Sequence, residues 1–424
     1  MNVDVLLVGG GGREHALAWK LKQSPRIGKL YIAPGNGGTQ NLGENVPIGV
    51  MEFEKLADFA TEKKVHLTIV GPDDPFVGGI VDVFKQRGLR VWGPSKAAAQ
   101  IEGSKAFSKQ LMRDAGIPTA DFSVFTNYDE AFRYVQDKGV PIVIKASGLA
   151  LGKGVYVCQT LEEAAQALKE MMLDRIFKDS GTQVVIEEFL DGPEISIHAI
   201  SDGRTYKLFP PTQDHKRALD GDAGKNTGGM GVIGPLPFVS DAQMSDIDDR
   251  IVKTTFDALN AKGIQFSGLL YPGLKMSSRG VKVLEYNARF GDPETQVYMR
   301  LLKTDILDIF EACVDGTLEK QPIEWNSGFA ANIVLASGGY PDEYKKGLPI
   351  TGIEDAEKVP GVIVFHAGTT FDGALKTSGG RVLGVSAVGT TLKEALDRAY
   401  EAVAKIHFEG MQFRRDIGAK ALAA

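Results

Sequence analysis

Cysteine is scarce in this chain, which has only two cysteines in 424 residues. Cys158 and Cys313 lie far apart and lack the spacing of metal ligands, which excludes a disulfide framework and a cysteine zinc site. Long hydrophobic runs are also missing, and the apolar stretch at residues 1–8 is too short for a signal peptide. We therefore expect a cytoplasmic protein that makes no contact with a membrane.

An excess of positive charge is missing too. The 48 Lys and Arg residues and 54 Asp and Glu residues are scattered along the chain and give a net charge of -6. This balance argues against a nucleic-acid-binding protein. The sequence has no His/Cys/Asp cluster with zinc spacing and no Gly-x-Ser-x-Gly motif. The composition fits soluble metabolism, in which local basic residues bind anionic substrates.

Short apolar strands alternate with helices in the first hundred residues. Strands are predicted at residues 3–8, 29–33, 66–70 and 90–92, with helices at 13–23, 56–63 and 80–87. This alternation predicts a doubly wound parallel sheet. Ligands bind such sheets at the carboxyl ends of the strands. Those ends are the loops at residues 9–12, 34–38 and 71–75.

The segment at residues 281–296 begins as a strand and ends in a polar loop. Alternation along a strand places Glu285, Asn287 and Arg289 on one face. The opposite face, which we expect to meet the core, carries Leu284, Tyr286 and Ala288. Carboxylate and amide oxygens are ligands that Mg²⁺ prefers, and arginine suits a phosphate or carboxylate. The segment predicts a site for Mg-nucleotide chemistry.

A glycine-rich loop follows the predicted strand at residues 142–145. Lys145 ends that strand, and Gly148, Gly152 and Gly154 surround Lys153. Glycines let backbone amides approach phosphate oxygens and let the loop close over a nucleotide. The loop is not a P-loop, because glycine follows Lys153 and a strand follows the loop. The alternative is a flexible hairpin with an incidental lysine.

The first glycine loop, at residues 9–15, joins a strand to a helix. It does not match the dinucleotide motif, because the third glycine position falls on Glu14 or His15. Backbone N–H groups at the start of the helix can still hold a phosphate, with charge pairing from Arg13 and Glu14. The alternative is a tight turn without a ligand.

Two further segments carry clustered charge. Residues 184–194 form an apolar strand that runs into three carboxylates, where a purine and its ribose could bind; the alternative is a set of solvated acidic residues. In the segment 212–217, His215 lies beside Asp214 and is a candidate acid or base. A structural role is commoner for such a histidine, and the same holds for His15 and His366.

Together these motifs resemble the ATP-grasp superfamily, and within it the phosphoribosylamine–glycine ligase family, essentially from end to end. The strings that carry the resemblance are found at residues 11–16, 33–36, 68–72, 102–105, 213–217, 226–231, 289–296, 365–369 and 379–383. The chain departs from the usual family pattern at Ser147, Leu151, Ile233 and Gly234.

The resemblance implies a fold and a reaction. ATP would phosphorylate the glycine carboxylate, and the amine of 5-phosphoribosylamine would then displace phosphate from glycyl phosphate. The fold would be a multidomain α/β and α+β protein: an N-terminal doubly wound, Rossmann-like substrate domain, an ATP-grasp fold and a small C-terminal mixed domain. The expected divisions are 1–104, the ATP-grasp small subdomain with its lid loop at 105–194, the large subdomain with the metal site at 195–327, and 328–424.

The resemblance also implies roles for individual residues. Arg289, Asp214 and Lys216 would act at the reacting groups, and Glu285 and Asn287 would hold Mg²⁺ or Mn²⁺. ATP, the co-substrate, would contact Lys105, Lys145, Gly148, Gly152, Lys153, Gly154, Glu187, Glu188, Leu190 and Glu194. Glycine and phosphoribosylamine would contact Gly11, Gly12, Arg13, Glu14, Gly228, Gly229, Asp292 and Thr295.

Two rival functions remain on the sequence alone. One is another ATP-grasp ligase or carboxylase that acts on a ribonucleotide; the 289–296 string and the lack of a biotin-type Met-Lys-Met module count against it. The other is a nucleotide-binding regulator without catalysis, which the intact Lys145, Glu285, Asn287 and Arg289 disfavour. We expect a monomer whose partners are small molecules only.

Overall fold

A computed structural model of the chain describes residues 2–149 and 154–423. The first domain is a five-stranded parallel sheet in the order β3-β2-β1-β4-β5. Its strands are β1 (Val3–Gly9), β2 (Ile27–Pro34), β3 (Glu44–Asn45), β4 (Leu67–Val70) and β5 (Val91–Trp92). Its helices are α1 (Gly12–Leu21), α2 (Phe53–Glu62), α3 (Asp73–Gly78), α4 (Ile80–Gln86) and α5 (Lys96–Gly103).

The central strand β1 is apolar on both faces because helices cover both. Val5 and Leu7 belong to one hydrophobic cluster, whereas Leu6 and Val8 belong to another. A near-continuous apolar run is the pattern of a parallel strand that is buried on both sides. The predicted doubly wound sheet is confirmed, with the glycine loops at the carboxyl ends of β1 and β2.

The second unit is an antiparallel sheet in the order β6-β9-β7-β8, with a hydrophobic cluster of its own. Its strands are β6 (Phe122–Phe125), β7 (Ile142–Ala146), β8 (Val155–Cys158) and β9 (Val184–Glu188). Its helices are α6 (Lys105–Ala115), α7 (Tyr128–Lys138) and α8 (Leu161–Leu168). The glycine-rich loop joins β7 to β8.

The third unit is built around the long antiparallel pair of β17 and β18, which joins β10, β11 and β12 in one sheet. The strands of this stretch are β10 (Glu194–Ser196), β11 (Ala199–Asp202), β12 (Tyr206–Leu208), β13 (Gln213–Asp214), β14 (Arg217–Leu219), β15 (Ala223–Asn226), β16 (Gly231–Gly234), β17 (Ser267–Ser277) and β18 (Gly280–Asn287). Its helices are α9 (Asp241–Ile247) and α10 (Thr254–Ala261).

The C-terminal part contributes strands to a sheet in the order β13-β16-β19-β23-β20, which also takes two strands from the third unit. Its strands are β19 (Phe329–Ala336), β20 (Val362–His366), β21 (Thr369–Phe371), β22 (Leu375–Thr377) and β23 (Arg381–Gly389). The remaining helices are α11 (Glu294–Leu301), α12 (Ile306–Asp315), α13 (Ile353–Ala356), α14 (Leu392–Val403) and α15 (Ala419–Ala423).

Single turns of 3₁₀ or π helix complete the secondary structure, at Thr39–Asn41, Lys169–Leu173, Lys178–Gly181, Asp220–Asp222, Asp248–Lys253 and Leu318–Lys320. One hydrophobic cluster runs from the β17–β18 sheet into the C-terminal sheet. The multidomain fold class is confirmed, and the predicted domain divisions stay predictions. Among the described residues, no helix is both long and apolar enough to span a bilayer.

Candidate active site

The predicted metal-binding strand, β18, contains a β-bulge immediately before its acidic residue. Gly273 of β17 pairs with Glu285, whereas Leu274 pairs with Val283, so Leu284 is an extra residue on β18. Val283 is therefore buried in the core and Leu284 is only partly buried. The expectation that Leu284 faces the core was wrong, because a bulge interrupts the alternation of side chains. The bulge sets the direction of the Glu285 side chain.

Glu285 stays ionised because several ammonium groups surround it. Although burial opposes ionisation, Lys216, Lys145 and Lys105 lower the pKa of Glu285 to about 2. The Lys216 Nζ lies 3.4 Å from a Glu285 oxygen. An ionised carboxylate at neutral pH is the state that a divalent cation requires of a ligand.

Asn287 supplies the second predicted metal ligand, an amide oxygen at the end of β18. Its Oδ1 accepts a hydrogen bond of 2.9 Å from Arg289. Within the described residues, no three acidic, histidine or cysteine side chains cluster as a cation cage. A carboxylate and an amide oxygen, with other positions left to phosphates and water, fit the way Mg²⁺ is bound with nucleotides.

Arg289 is held by a glutamate that the sequence reasoning left without a role. Its Nη2 lies 3.0 Å from a Glu102 oxygen, and the other Glu102 oxygen accepts the Ala288 N–H at 2.7 Å. Burial raises the pKa of Glu102 to about 7. The signal for Glu102 was its position in the 102–105 string, which we used only for the resemblance.

The start of α6 is tied to the strand that precedes the glycine-rich loop. Lys105 donates from its backbone N–H to the Ser147 carbonyl at 2.8 Å and from its Nζ to the Gly148 carbonyl at 3.2 Å. The Ser147 hydroxyl accepts the Ala106 N–H at 3.2 Å. The Gly154 carbonyl accepts a hydrogen bond from the N–H of Ala146, the last residue of β7. The predicted Gly152 and Lys153, like Leu151, lie outside the described residues.

Glu187 lies between two buried lysines. Its Oε2 is 3.0 Å from the Lys145 Nζ and 3.2 Å from the Nζ of Lys109, a residue that the sequence reasoning missed. Its Oε1 is buried without a hydrogen-bond partner among the described residues. Lys145 also donates to the Leu284 carbonyl at 3.0 Å. The side chain thus faces the lysines, and its predicted contact with adenosine stays a prediction.

The other predicted adenosine residues lie along the edge that follows β9. The Glu188 carboxylate binds Arg279 and, at 2.6 Å, Lys282. Leu190 is buried, and Glu194 lies 3.2 Å from the Lys275 Nζ and 3.9 Å from that of Lys216. Arg279, in the turn between β17 and β18, and Lys282, on β18, thus hold the Glu188 side chain, which leaves its backbone for a nucleotide.

The half-buried Asp214 and the buried Glu294 lie close enough for their charges to interact. The Asp214 Oδ1 is buried without a hydrogen-bond partner among the described residues. Burial, and then the nearby Glu294 carboxylate, raise the pKa of Asp214 above its usual range. Glu294 accepts hydrogen bonds from the Tyr271 hydroxyl and, at 3.0 Å, from the Ser196 hydroxyl. Asp214 therefore has a free lone pair and a tendency to take up a proton.

The 226–231 loop approaches Asp214 through a glycine. Gly229 has φ +111°, and a Cβ built there would lie 2.5 Å from both the Asp214 Oδ1 and the Pro293 Cδ. The Gly228 carbonyl accepts a hydrogen bond of 2.6 Å from Arg381. The loop thus reaches Asp214 only because residue 229 has no side chain.

A cleft of about 330 Å³ lies where the first domain meets the C-terminal part. It is lined by Gly10, Gly11, Gly35, Asn36, Asp292, Tyr340, Ala367, Gly368, Thr369, Ser378 and Arg381. Gly11 and Asp292 were predicted as substrate residues. Asn36 and Arg381 lie in strings that carried the resemblance, whereas nothing in the sequence pointed to Tyr340 or Ser378.

Four of the predicted substrate residues lie behind this cleft. Arg13 and Glu14 are buried and pair at 2.6 Å, and Arg13 donates to the Phe290 carbonyl at 3.0 Å. Glu14 also accepts the Gly11 N–H at 2.6 Å, which shapes the glycine loop. Gly12 packs against the Gln296 side chain, and the buried Thr295 hydroxyl donates to the Gly291 carbonyl.

The histidines that the sequence analysis considered are buried and neutral. His215 accepts the Gly418 N–H at 3.1 Å, and burial lowers its pKa to about 4. His15 accepts the His366 N–H at 2.9 Å. Burial lowers the pKa of His15 to about 3 and that of His366 to about 4. His15 and His215 contact backbone groups and His366 contacts the Thr369 hydroxyl at 3.2 Å, which supports a structural role.

Three family models match consecutive parts of the chain. They describe the N domain of phosphoribosylglycinamide synthetase at residues 3–102, its ATP-grasp (A) domain at 103–295 and its C domain at 330–420. A phosphoribosylamine–glycine ligase of Caldanaerobacter subterraneus is 49% identical over 418 residues, which cover 98% of this chain and 100% of that relative.

Two solved structures have folds similar to that of this chain. The crystal structure of phosphoribosylamine–glycine ligase from Thermotoga maritima has a TM-score of 0.84 and 36% identity, covering 98% of this chain and 100% of that one. A biotin carboxylase from Campylobacter jejuni has a TM-score of 0.73 at 13% identity, covering 97% and 93%. The second likeness concerns the fold alone.

Proposed function

The chain belongs to the phosphoribosylglycinamide synthetase family, and we propose that it joins glycine to 5-phosphoribosylamine in a reaction driven by ATP. The products would be glycinamide ribonucleotide, ADP and phosphate, a step of purine biosynthesis. The observation that carries the proposal is that one continuous segment, β18 and the loop after it, reaches both parts of the candidate site. β18 brings Glu285 and Asn287 beside the lysines, and the loop that follows it brings Asp292 into the cleft.

The nucleotide would bind between the second unit and β18. Lys105 and Lys145, whose charges lower the pKa of Glu285, would neutralise phosphate oxygens. Leu190 would pack on the purine, and Glu194 would reach the ribose. Phosphoryl transfer needs little covalent help from a protein, so positioned positive charge is the main requirement.

Glu285 and Asn287 would hold a divalent cation, which we propose is Mg²⁺ or Mn²⁺. Bound there, the cation would supply positive charge to the phosphate groups during transfer. The ionised state of Glu285 supports this role. Lys216 keeps its proton despite burial, because Glu285 and Glu194 raise its pKa. It would hold the two carboxylates in place around the phosphates.

Glycine needs activation, because an amine does not displace oxide from a carboxylate. We propose that a glycine carboxylate oxygen attacks the γ-phosphorus, which forms glycyl phosphate and releases ADP. Arg289, held by Glu102 and adjacent to Asn287, would bind the carboxylate and then the acyl phosphate. A planar guanidinium suits both groups.

In the second step the nitrogen of phosphoribosylamine attacks the acyl carbon, loses a proton and expels phosphate. Asp214 supports this step, since its buried Oδ1 has no partner among the described residues and its pKa is raised by burial. We propose that this oxygen accepts the hydrogen bond, and then the proton, of the attacking amine.

The ribose phosphate would lie in the cleft beside the first glycine loop. Its phosphate would meet backbone N–H groups at the start of α1, where the helix dipole favours an anion. Asn36 and Arg381 add polar groups from the opposite sides. The buried pair of Arg13 and Glu14 would act on the substrate indirectly, by shaping the loop. The monomeric state and the cytoplasmic location stay predictions.

The direct test measures ADP release with Mg-ATP, phosphoribosylamine made from ammonia and ribose 5-phosphate, and each amino acid in turn. Release that requires both glycine and phosphoribosylamine is the expected result. Release that does not depend on glycine would favour an ATP-grasp enzyme with another acid substrate. No release with any acid would favour the nucleotide-binding regulator.

A further inference from the structure

Lys109, on α6, is a buried lysine with no role in the proposed mechanism. It is 1% exposed, and its Nζ lies 3.2 Å from the Glu187 Oε2. The Lys145 Nζ lies 3.0 Å from the same oxygen. Two ammonium groups therefore share one carboxylate, in a place where solvent cannot screen the charges.

Lys109, Lys145 and Glu187 form a charged trio. The net charge of this trio decides how much positive charge Lys145 can offer to the phosphates of a nucleotide. With both lysines protonated the trio carries one net positive charge, whereas Lys145 and Glu187 alone would cancel. Burial lowers the pKa of Lys109 to about 8 against the attraction of Glu187, so the ammonium form still predominates at neutral pH. At short range in a poorly solvated site, one charge changes the binding of an anion strongly.

The trio is also connected to the strand that carries the metal ligands. Lys109 donates to the Thr119 hydroxyl at 2.6 Å, and that hydroxyl donates to the Val283 carbonyl at 2.7 Å. Lys145 donates to the next carbonyl, that of Leu284, at 3.0 Å. The two lysines thus hold consecutive carbonyls, one of them through Thr119, immediately before Glu285.

We propose that Lys109 is a positioning residue for ATP: it neutralises Glu187 and so leaves the charge of Lys145 to the nucleotide phosphates. The inference rests on the proposed function, because it takes ATP as the occupant of this site. It predicts that Lys109 acts on phosphate binding through charge and only weakly on the binding of the nucleoside.

The test compares the Kd of ADP with that of adenosine, by calorimetry, in the full-length protein. Lys109→Met keeps the length of the side chain and should weaken ADP about tenfold relative to adenosine, as loss of one buried charge does. Lys109→Met combined with Glu187→Gln restores one net positive charge and should restore the ratio. Any contact of residue 187 with the purine affects both ligands and cancels in the ratio.

Two further variants cover the case in which Lys109→Met does not fold. Glu187→Gln alone raises the net charge and should increase the preference for ADP over adenosine. Thr119→Val keeps all three charges and should leave the preference unchanged. The inference is overturned if the double variant has the same reduced preference for ADP over adenosine as Lys109→Met, or if Glu187→Gln leaves the preference unchanged. Failure of the wild type to bind ADP would instead contradict the proposed function.

Discussion

The guanidinium of Arg381, on β23, donates a hydrogen bond of 2.6 Å to the backbone carbonyl of Asp292. The same nitrogen donates to the Gly228 carbonyl at 2.6 Å, and the other terminal nitrogen lies 3.4 Å from the Asp292 carboxylate. A residue of the C-terminal sheet thus holds together two loops from the middle of the chain. The last hundred residues contribute directly to the candidate site as well as completing the fold.

Replacing Arg381 should weaken the binding of phosphoribosylamine much more than the binding of the nucleotide. Arg381→Met removes both hydrogen bonds to the loops and the charge beside Asp292, so the KM for phosphoribosylamine should rise about tenfold or more. The Kd of ADP should stay within about twofold of the wild-type value. Arg381→Lys keeps the charge without the planar fork and should lie in between. Equal effects on the two ligands would contradict the assignment of the cleft.

Arg289 should matter for turnover and little for nucleotide affinity. Arg289→Ala removes the group proposed to stabilise the acyl phosphate, so kcat should fall about 100-fold or more, while the Kd of ADP stays near normal. Steady-state kinetics and calorimetry check both. A matched control is Glu102→Gln, which keeps the shape of the partner and loses only its charge, and should have the smaller effect. Unchanged turnover in Arg289→Ala would remove Arg289 from the mechanism.

The sequence alone was sufficient to predict the structural features that depend on a local pattern of residues. The bounds of β1 and β4 lie within one residue of the predicted 3–8 and 66–70, because a short apolar run that ends at glycine specifies a buried strand. Glu285 and Asn287 lie two residues apart on β18, as the predicted strand required, and their role as metal ligands stays a prediction. Leu284 was misplaced because a bulge depends on the partner strand, which the sequence of β18 alone does not reveal.

Contacts between segments that lie far apart along the chain could not be predicted from the sequence. Lys109 lies in an ordinary helix, and its burial against Glu187 depends on how α6 packs on β9. Tyr340 lines the cleft because the C-terminal sheet meets the first domain there, which no local spacing records. Arg13 and Glu14 pair with each other in the fold, and their predicted substrate role stays a prediction.

Gly229 should tolerate no side chain. In Gly229→Ala the Cβ would lie 2.5 Å from the Asp214 Oδ1 and from the Pro293 Cδ, so the loop must move and turnover should fall at least tenfold. Gly221→Ala is the matched control: φ is also positive, at +71°, but no described atom lies within 4 Å of its Cβ. In melting experiments both variants should also show the backbone cost of about 1–2 kcal/mol that alanine has at a positive φ. A similar loss of turnover in both would contradict the steric argument.

Glu285 should control the metal requirement. Glu285→Gln removes the ionised ligand, so the Mg²⁺ concentration that gives half-maximal activity should rise at least tenfold. Because the pKa of Glu285 is about 2, its carboxylate stays ionised throughout the range from pH 5 to pH 8. The difference between the wild type and the variant should therefore not depend on pH in that range. A difference that vanishes near pH 5 would show that Glu285 is not the ligand.

His366 should make the fold less stable in mild acid. Burial lowers its pKa from 6.5 to about 4, so between these values the unfolded chain binds a proton that the folded protein does not. The contribution of His366 to the free energy of unfolding is fully present above pH 6.5 and is lost as the pH falls toward 4. The free energy of unfolding should therefore fall by about 2 kcal/mol between pH 7 and pH 5. In His366→Gln that loss disappears, whatever constant cost the substitution has. Urea unfolding of both proteins at pH 7, 6 and 5 measures the difference. If the free energies of unfolding of the wild type and His366→Gln run parallel from pH 7 to pH 5, the buried imidazole is not neutral in the folded protein.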